Sequence, residues 1–133
     1  MSQAKYLVGL DVGSTTVKAV VIESATDTMI WSDYQRHETK QPEKTLELLK
    51  QIEEATGVRS GNTRMFVTGS GGGNIGARLG AKFVQEVNAV SLAVEKLHPD
   101  VQSVVELGGQ DAKMIFFKEI EESGKKNKMP TIR

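Results

Sequence analysis

The stretch that decides the fold reads Gly9-Leu-Asp-Val-Gly-Ser-Thr-Thr-Val-Lys18. An apolar run from Tyr6 meets Asp11 and a glycine, and β-branched residues up to Ile22 follow, which predicts two strands joined by a short turn. A third strand is predicted near Met29–Tyr34, too close in sequence for parallel pairing, which needs a long crossover. The chain is therefore predicted to open with three antiparallel strands.

The hydrophobic period then changes from that of strands to that of helices. Leu46, Leu49 and Ile52 recur at helical spacing, and Met65–Thr68 has the composition of a strand. A helix between two strands is typical of a crossover between parallel strands. Further predicted elements are a short helix at 74–79, a brief strand at 83–84, a helix at 87–97 and a hairpin of strands at 101–107 and 112–117. Before that hairpin, the pattern predicts an α/β domain with a mixed five-stranded sheet, strands 1–3 antiparallel and helices on its faces.

The first turn carries groups that suit phosphate and magnesium binding. Backbone N–H groups exposed by a tight turn at Gly13 can form a concave site for an anion. Side chains with hydroxyl or ammonium groups follow it at Ser14, Thr15, Thr16 and Lys18. Asp11, at the end of a buried strand, is suited to hold Mg²⁺. The alternative interpretation is an ordinary hairpin turn with a solvated aspartate.

A second turn near residue 108 repeats this pattern. Glu106 again ends an apolar strand, and Gly108 and Gly109 allow a backbone to approach a ligand closely. The polar residues that follow are Gln110, Asp111 and Lys113. Two such turns are improbable by chance, so we expect them to face one ligand and to hold its β- and γ-phosphates. The alternative is a second ordinary turn.

These two runs, Gly9–Lys18 and Glu106–Lys113, resemble the phosphate motifs of the sugar kinase, heat-shock chaperone and actin superfamily. More narrowly, the Gly-Gly-Gln-Asp-x-Lys run resembles activators of 2-hydroxyacyl-CoA dehydratases and ATPase subunits of benzoyl-CoA reductase. The segments 67–71 and 83–90 are similar to the longer members of that family. The resemblance extends from residue 6 to residue 118, and it implies a ribonuclease H-like, actin-like ATPase fold.

The resemblance also implies an activity and roles for residues. It implies an ATPase whose hydrolysis drives an electron into a dehydratase or reductase partner. Asp11, Gln110 and Asp111 would be catalytic, and Asp11 and Glu106 would serve the metal, although many relatives have aspartate in place of that glutamate. The implied contacts to ATP are Gly13, Ser14, Thr15, Thr16, Lys18, Gly108 and Gly109. In the family, two subunits share one [4Fe–4S] cluster through cysteines, which implies a homodimer.

The domain organisation is predicted from the same pattern. Residues 1–99 are expected to form the first lobe, 100–118 the opening hairpin of a truncated second lobe, and 119–133 a flexible tail or frayed helix. The adenosine pocket and the cluster ligands would lie in the missing part, so the fragment alone is expected to be nearly inactive. Its second hairpin is expected to expose backbone edges that can pair with another copy.

Composition excludes several other classes. The 133 residues contain 17 Lys plus Arg and 17 Asp plus Glu, so no bulk charge attracts nucleic acid or a membrane surface. There is no cysteine, hence no thiolate metal site in this chain. No apolar run reaches the length of a membrane span, and the polar start is unlike a signal peptide, which predicts a cytoplasmic protein.

The sequence is also compatible with other functions. A sugar or acid kinase of the same superfamily and a non-catalytic nucleotide-binding module are the alternative functions. Gly71–Gly76 matches the G-x-G-x-x-G pattern of dinucleotide-binding folds, but it is better interpreted as a loop beside the phosphate cleft, because Glu95 lies in a predicted helix. His37 and His98 have no acidic neighbours at metal-ligand spacing and are predicted to be solvated or capping residues.

Overall fold

The computed structural model describes residues 4–108, 112–122 and 125–132. The chain divides into two compact units, Met1–Val84 and Gln85–Arg133. The sequence pattern instead predicts a boundary at residue 99. The difference arises because the helix at Glu86–Leu97 groups with the strands that follow it.

The first unit is built on a mixed five-stranded sheet. Its strands are β1 (Tyr6–Val12), β2 (Thr16–Glu23), β3 (Thr28–Arg36), β4 (Thr63–Thr68) and β5 (Lys82–Phe83), in the order β3-β2-β1-β4-β5. Its helices are α1 (Gln41–Ala55) and α2 (Gly72–Leu79). The pairs β1–β2 and β2–β3 are antiparallel, and β1–β4 and β4–β5 are parallel. The predicted sheet is confirmed, and its antiparallel half excludes the dinucleotide-binding fold, which needs a mostly parallel sheet.

The core of this unit follows from the alternation of side chains along its central strand. Tyr6, Val8, Leu10 and Val12 point to the buried face of β1, while the residues between them are half-buried. Val17, Ala19 and Val21 of β2, Leu48 and Ile52 of α1, Val67 of β4 and Ile75 of α2 complete the cluster, with Val58. Full burial of one such aliphatic side chain contributes about 1.5–3 kcal/mol. The hairpin turn therefore stands directly on the buried core of the first unit.

Helix α1 connects β3 to β4 and begins close to the first turn. It has a proline in its first turn, and it ends where the Thr56 N–H donates to the Ile52 carbonyl at 2.9 Å. The buried residues Thr45, Leu48 and Ile52 recur at helical spacing and turn one face of α1 to the core. This placement fixes Gln41, the first residue of α1, beside the turn.

The second unit contains α3 (Glu86–Leu97) and a sheet in the order β6-β7-β8. Its strands are β6 (Ser103–Leu107), β7 (Ala112–Glu122) and β8 (Lys125–Ile132). β6 and β7 pair antiparallel from Ser103↔Phe116 to Leu107↔Ala112, which confirms the predicted hairpin.

The structure differs from the flexible tail expected at 119–133. β7 continues to Glu122, and β8 pairs with it antiparallel. The register places Glu119 opposite Lys128 and Glu121 opposite Lys126. The charge-rich composition that suggested a tail is therefore compatible with a strand pair. One edge of the hairpin, expected to be open, is thereby paired within the same chain.

Candidate phosphate-binding site

The first turn is held in shape by the ladder on which it stands. Val12 pairs with Val17 at the end of the hairpin, and both side chains are fully buried. The Gly13 N–H donates to the Thr16 carbonyl at 2.8 Å and closes the turn. Residues 13–15 thus form a short loop at the end of β1, with little freedom at its base.

Asp11 lies at this end of β1, paired with Lys18 across the ladder. The Lys18 ammonium donates to Asp11 Oδ2 at 3.2 Å, and these side chains are 40% and 28% exposed, respectively. An ion pair this exposed contributes at most about 1 kcal/mol. The ammonium also lies 5.5 Å from the centre of the Tyr34 ring. Lys18 is therefore held near the turn by weak contacts that a more highly charged ligand can replace.

The other carboxylate oxygen of Asp11 is in a different environment. Oδ1 is buried and accepts no hydrogen bond from the part of the chain that the structure describes. Thr68 lies at the paired position on the parallel strand β4, and its hydroxyl group is also buried without a hydrogen-bond partner among the described residues. A buried oxygen atom without a partner is destabilising, so these two oxygen atoms at paired positions are candidates for contact with a ligand.

A glycine loop lies against Asp11 on the other side. Gly69 has φ +96°, and a Cβ atom there would lie 2.7 Å from Asp11 Oδ1. The Gly71 N–H donates to the Val12 carbonyl at 2.9 Å and ties this loop to the hairpin. The predicted position of the glycine run beside the phosphate turn agrees with this contact. Only glycine fits at position 69, because any side chain would meet the carboxylate and the strand end.

Two side chains from outside the hairpin bind the Gly13 carbonyl. His37 Nε2 lies 2.9 Å from this oxygen, and the Gln41 side-chain amide donates to it at 2.7 Å. His37 is only 4% exposed, so the prediction that it is solvated is wrong, and its ring instead binds backbone groups. The contact spans 24 residues of sequence, which is why no local pattern indicated it. His98, in contrast, is exposed and follows the end of α3, as predicted.

The turn presents backbone donors on its open side. Within the described residues, the N–H groups of Ser14 and Thr15 donate to no acceptor. Ser14 is half-buried and Thr15 is exposed, so a ligand can reach both. Thr16 is 7% exposed, which leaves its hydroxyl group less accessible than sequence reasoning assumed. Unpaired N–H groups in a tight turn, next to a lysine, form the kind of concavity that binds phosphate oxygens.

The second turn is described only in part. The predicted site residues Gly109, Gln110 and Asp111 lie outside the described residues. Glu106 has a buried carboxylate oxygen, Oε2, without a partner among the described residues. Lys113, its register partner on β7, lies 4.0 Å from Glu86 Oε2. The expectation that the two turns face one ligand stays a prediction.

The described residues offer neither a helix suited to a membrane nor a ready-made cluster of metal ligands. None of their helices combines the length and the apolar character needed to cross a membrane. None of their His, Asp or Glu side chains gather in groups of three or more that would hold a metal by themselves. A cation at Asp11 would therefore need ligands from a nucleotide or from water, as Mg²⁺ prefers.

Comparison with solved structures supports the fold. (R)-2-Hydroxyglutaryl-CoA dehydratase component A of Acidaminococcus fermentans matches with a TM-score of 0.73 and 21% identity, covering 98% of this chain and 48% of that chain. The activator of 2-hydroxyisocaproyl-CoA dehydratase from Clostridium difficile, solved with bound ADPNP, matches with a TM-score of 0.64 and 25% identity, covering 95% and 45%. The ethanolamine utilization protein EutJ from Carboxydothermus hydrogenoformans gives 0.60 and 18%, covering 96% and 51%. This chain thus spans about half the length of each.

The fold is that of the actin-like, ribonuclease H-like ATPases. A comparison with curated proteins finds no match. A family model, however, matches residues 8–129, nearly the whole chain. The chain belongs to the BadF/BadG/BcrA/BcrD ATPase family.

Proposed function

We propose that this chain binds the phosphate groups of Mg²⁺·ATP at the turn of residues 13–16, with Asp11 directed to the metal ion. The observation that carries the proposal is that hydrogen-bond donors and an acceptor, all without partners in the described part of the chain, lie close together at one turn. The Ser14 and Thr15 N–H groups have no acceptor among the described residues, and the buried Asp11 Oδ1 has no donor there. Phosphate oxygens satisfy the first need, and a hydrated cation satisfies the second.

The residues present fit magnesium and a polyphosphate together. Asp11 and Thr68 supply oxygen atoms, which are the ligands Mg²⁺ takes in proteins, directly or through water. Magnesium bound there would neutralise phosphate charge and orient the γ-phosphate. Lys18, now paired with Asp11 Oδ2, would turn its ammonium group toward the phosphates. Glu106, Gly108, Gly109, Gln110 and Asp111 keep the nucleotide roles that the family resemblance implies.

For the whole protein we propose an ATP-hydrolysing activator that drives electron transfer to a CoA-ester dehydratase or reductase. Family membership and the two dehydratase-related structures support this role. A cytoplasmic location and a homodimer at full length belong to the same proposal. A [4Fe–4S] cluster finds no thiolate ligand in this chain, which contains no cysteine, so its residues do not fit that group.

We propose further that the chain alone binds Mg²⁺·ATP weakly and hydrolyses it slowly. It spans 48% and 45% of the two dehydratase-related structures, and nucleotide contacts can come from the remaining half of such a protein. A kinase and a non-catalytic module are the competing functions. Transfer of phosphate from ATP to a sugar or acid by the full-length protein would favour the kinase.

The proposal is tested by calorimetric titration of Mg²⁺·ATP into the wild-type chain and the variant Asp11→Asn. We expect the wild type to release heat of binding only when Mg²⁺ is present. We expect the magnesium-dependent heat to be absent in the variant. The variant Asp33→Asn is the matched control, because Asp33 lies on the edge strand β3 and its carboxylate accepts hydrogen bonds from Tyr34 and Gln35. Equal binding by Asp11→Asn and wild type would contradict the proposed role of Asp11. Rapid hydrolysis by the chain alone would contradict its proposed inactivity.

A further inference from the structure

We propose that His37 and Gln41 are positioning residues that hold the Gly13–Ser14 peptide with its N–H group turned toward a bound phosphate. This inference rests on the proposed function of the turn. Both side chains bind one carbonyl oxygen, that of Gly13. In a trans peptide the C=O and the following N–H point in opposite directions, and the described residues contain no cis peptide bond. Fixing the Gly13 carbonyl toward His37 and Gln41 therefore fixes the Ser14 N–H on the open side.

The hydrogen bonds of the His37 ring determine its tautomer. The Thr39 N–H donates to His37 Nδ1 at 3.1 Å, so Nδ1 must be the unprotonated nitrogen. Nε2 then carries the proton and donates to the Gly13 carbonyl at 2.9 Å. The ring is almost completely buried, and both of its nitrogens are occupied. His37 is thus a neutral donor with one fixed orientation.

The segment that follows His37 adopts an unfavourable backbone conformation. Glu38 and Thr39 have φ values of +49° and +68°, and the Lys40 N–H donates to the His37 carbonyl at 2.8 Å. Positive φ at both central residues is normally left to glycine, asparagine or aspartate, and it is an outlier for β-branched threonine. The same turn directs the Thr39 N–H to His37 Nδ1. A strained turn that serves to orient a buried histidine is typical of functional sites.

Gln41 depends on the glycine loop for its place. A Cβ atom at Gly71 would lie 2.5 Å from Gln41 Oε1, so a side chain there would displace the amide from the Gly13 carbonyl. A Cβ atom at Gly73, two residues on, would meet nothing within 4 Å. Gly71→Ala and Gly73→Ala are therefore a matched pair. The first disturbs the contact of Gln41 without changing any hydrogen-bonding side chain, and the second leaves it intact.

The first experiment is nitrogen-15 NMR of the imidazole rings in the full chain, which has two histidines. We expect one ring, assigned to His37 by its absence in His37→Gln, to remain in the Nε2–H tautomer. The exposed His98 is the internal comparison. An unprotonated Nε2 on His37 would overturn the proposal, because that nitrogen could then not donate to the Gly13 carbonyl.

The second experiment measures Mg²⁺·ATP affinity and urea unfolding in parallel. His37→Leu and Gln41→Met should each weaken binding about five- to tenfold, the factor that corresponds to one hydrogen bond. His37→Gln keeps a side-chain N–H donor and should restore most of the affinity. In affinity, Gly71→Ala should behave like Gln41→Met, and Gly73→Ala should behave like the wild type. A folding defect alone would not be rescued by His37→Gln and would not distinguish Gly71→Ala from Gly73→Ala. The comparison therefore distinguishes a loss of peptide positioning from a loss of stability.

Unchanged affinity in folded His37→Leu and Gln41→Met would overturn the positioning role. Absence of Mg²⁺·ATP binding by the wild type would instead contradict the proposed function of the turn. In that case two NMR measurements still test the orientation of the peptide: the tautomer of His37 and the amide resonance of Ser14. We expect that amide resonance to move in Gln41→Met and to stay in place in Gly73→Ala.

Discussion

Replacing Gly69 with alanine places a methyl group where the end of β1 and the Asp11 carboxylate already lie. The new Cβ atom would be 2.7 Å from Asp11 Oδ1 and nearer still to the Val12 carbonyl oxygen. The backbone at this position has φ +96°, which lies outside the usual left-handed region of L-residues. Both effects act on the chain segment that carries Asp11, so stability and ligand binding should fall together.

The size of the effect follows from the two contributions. The strained backbone costs about 1–3 kcal/mol, and the shift needed to relieve the overlap costs about 1–3 kcal/mol more. Together they lower the free energy of unfolding by about 2–6 kcal/mol. With a urea dependence of about 2 kcal/mol per molar, the unfolding midpoint falls by about 1–3 M.

Substitutions at two other glycines distinguish the cost of backbone strain from the cost of steric overlap in the same urea assay. Gly80 has φ +66°, but its Cβ atom would meet nothing within 4 Å, so Gly80→Ala should cost only the left-handed conformation, about 1–2 kcal/mol. Gly73 lies inside α2 with open space around it, and Gly73→Ala should stabilise by about 0.5–1 kcal/mol. If Gly69→Ala is no more destabilising than Gly80→Ala, the close packing of Gly69 against Asp11 is refuted.

Three further predictions concern the site and its support. Asp11→Asn should change the free energy of unfolding by less than about 1 kcal/mol, because its ion pair is exposed, and urea unfolding checks this. The same variant should abolish magnesium-dependent ATP binding, which calorimetry measures. Thr68→Val should raise the free energy of unfolding by about 1 kcal/mol, since it removes a buried hydroxyl group without a partner in the described chain, and a loss of stability would show that the hydroxyl is satisfied. Gly57→Ala should destabilise the protein by about 1–3 kcal/mol, because its Cβ would lie 2.6 Å from the Tyr6 hydroxyl. In a Tyr6→Phe background, thermal unfolding should show a smaller loss of stability from Gly57→Ala.

The fold was predictable from sequence because its signals are local. The β-branched runs on both sides of Gly13 predict the hairpin, and the helical spacing of Leu49 and Ile52 predicts the crossover helix. Elements without such a signal were not found. β8 has no apolar alternation, so its residues carry no local signal of a strand, and it is recognised only by its backbone pairing with β7.

The site was predictable only where its residues lie in one motif. Asp11, Ser14, Thr15 and Lys18 come within a single turn, so their types and spacing indicated phosphate. His37 and Gln41 reach Gly13 from 24 and 28 residues away, through the ends of β3 and α1. No local pattern carries that contact, because it depends on how the sheet and the helix pack. Positive φ at Thr39 could not be foreseen either, since threonine gives no sign of it.

The central claim, that the first turn binds the phosphates of Mg²⁺·ATP, is tested most directly by amide NMR of the isotope-labelled chain during a titration. The account predicts that the resonances of Ser14, Thr15 and Lys18 move with Mg²⁺·ATP, and that inorganic phosphate moves the same amides at higher concentration. Shifts centred on residues 71–76 with Ser14 and Thr15 unmoved, or no shifts at millimolar ligand, would contradict it.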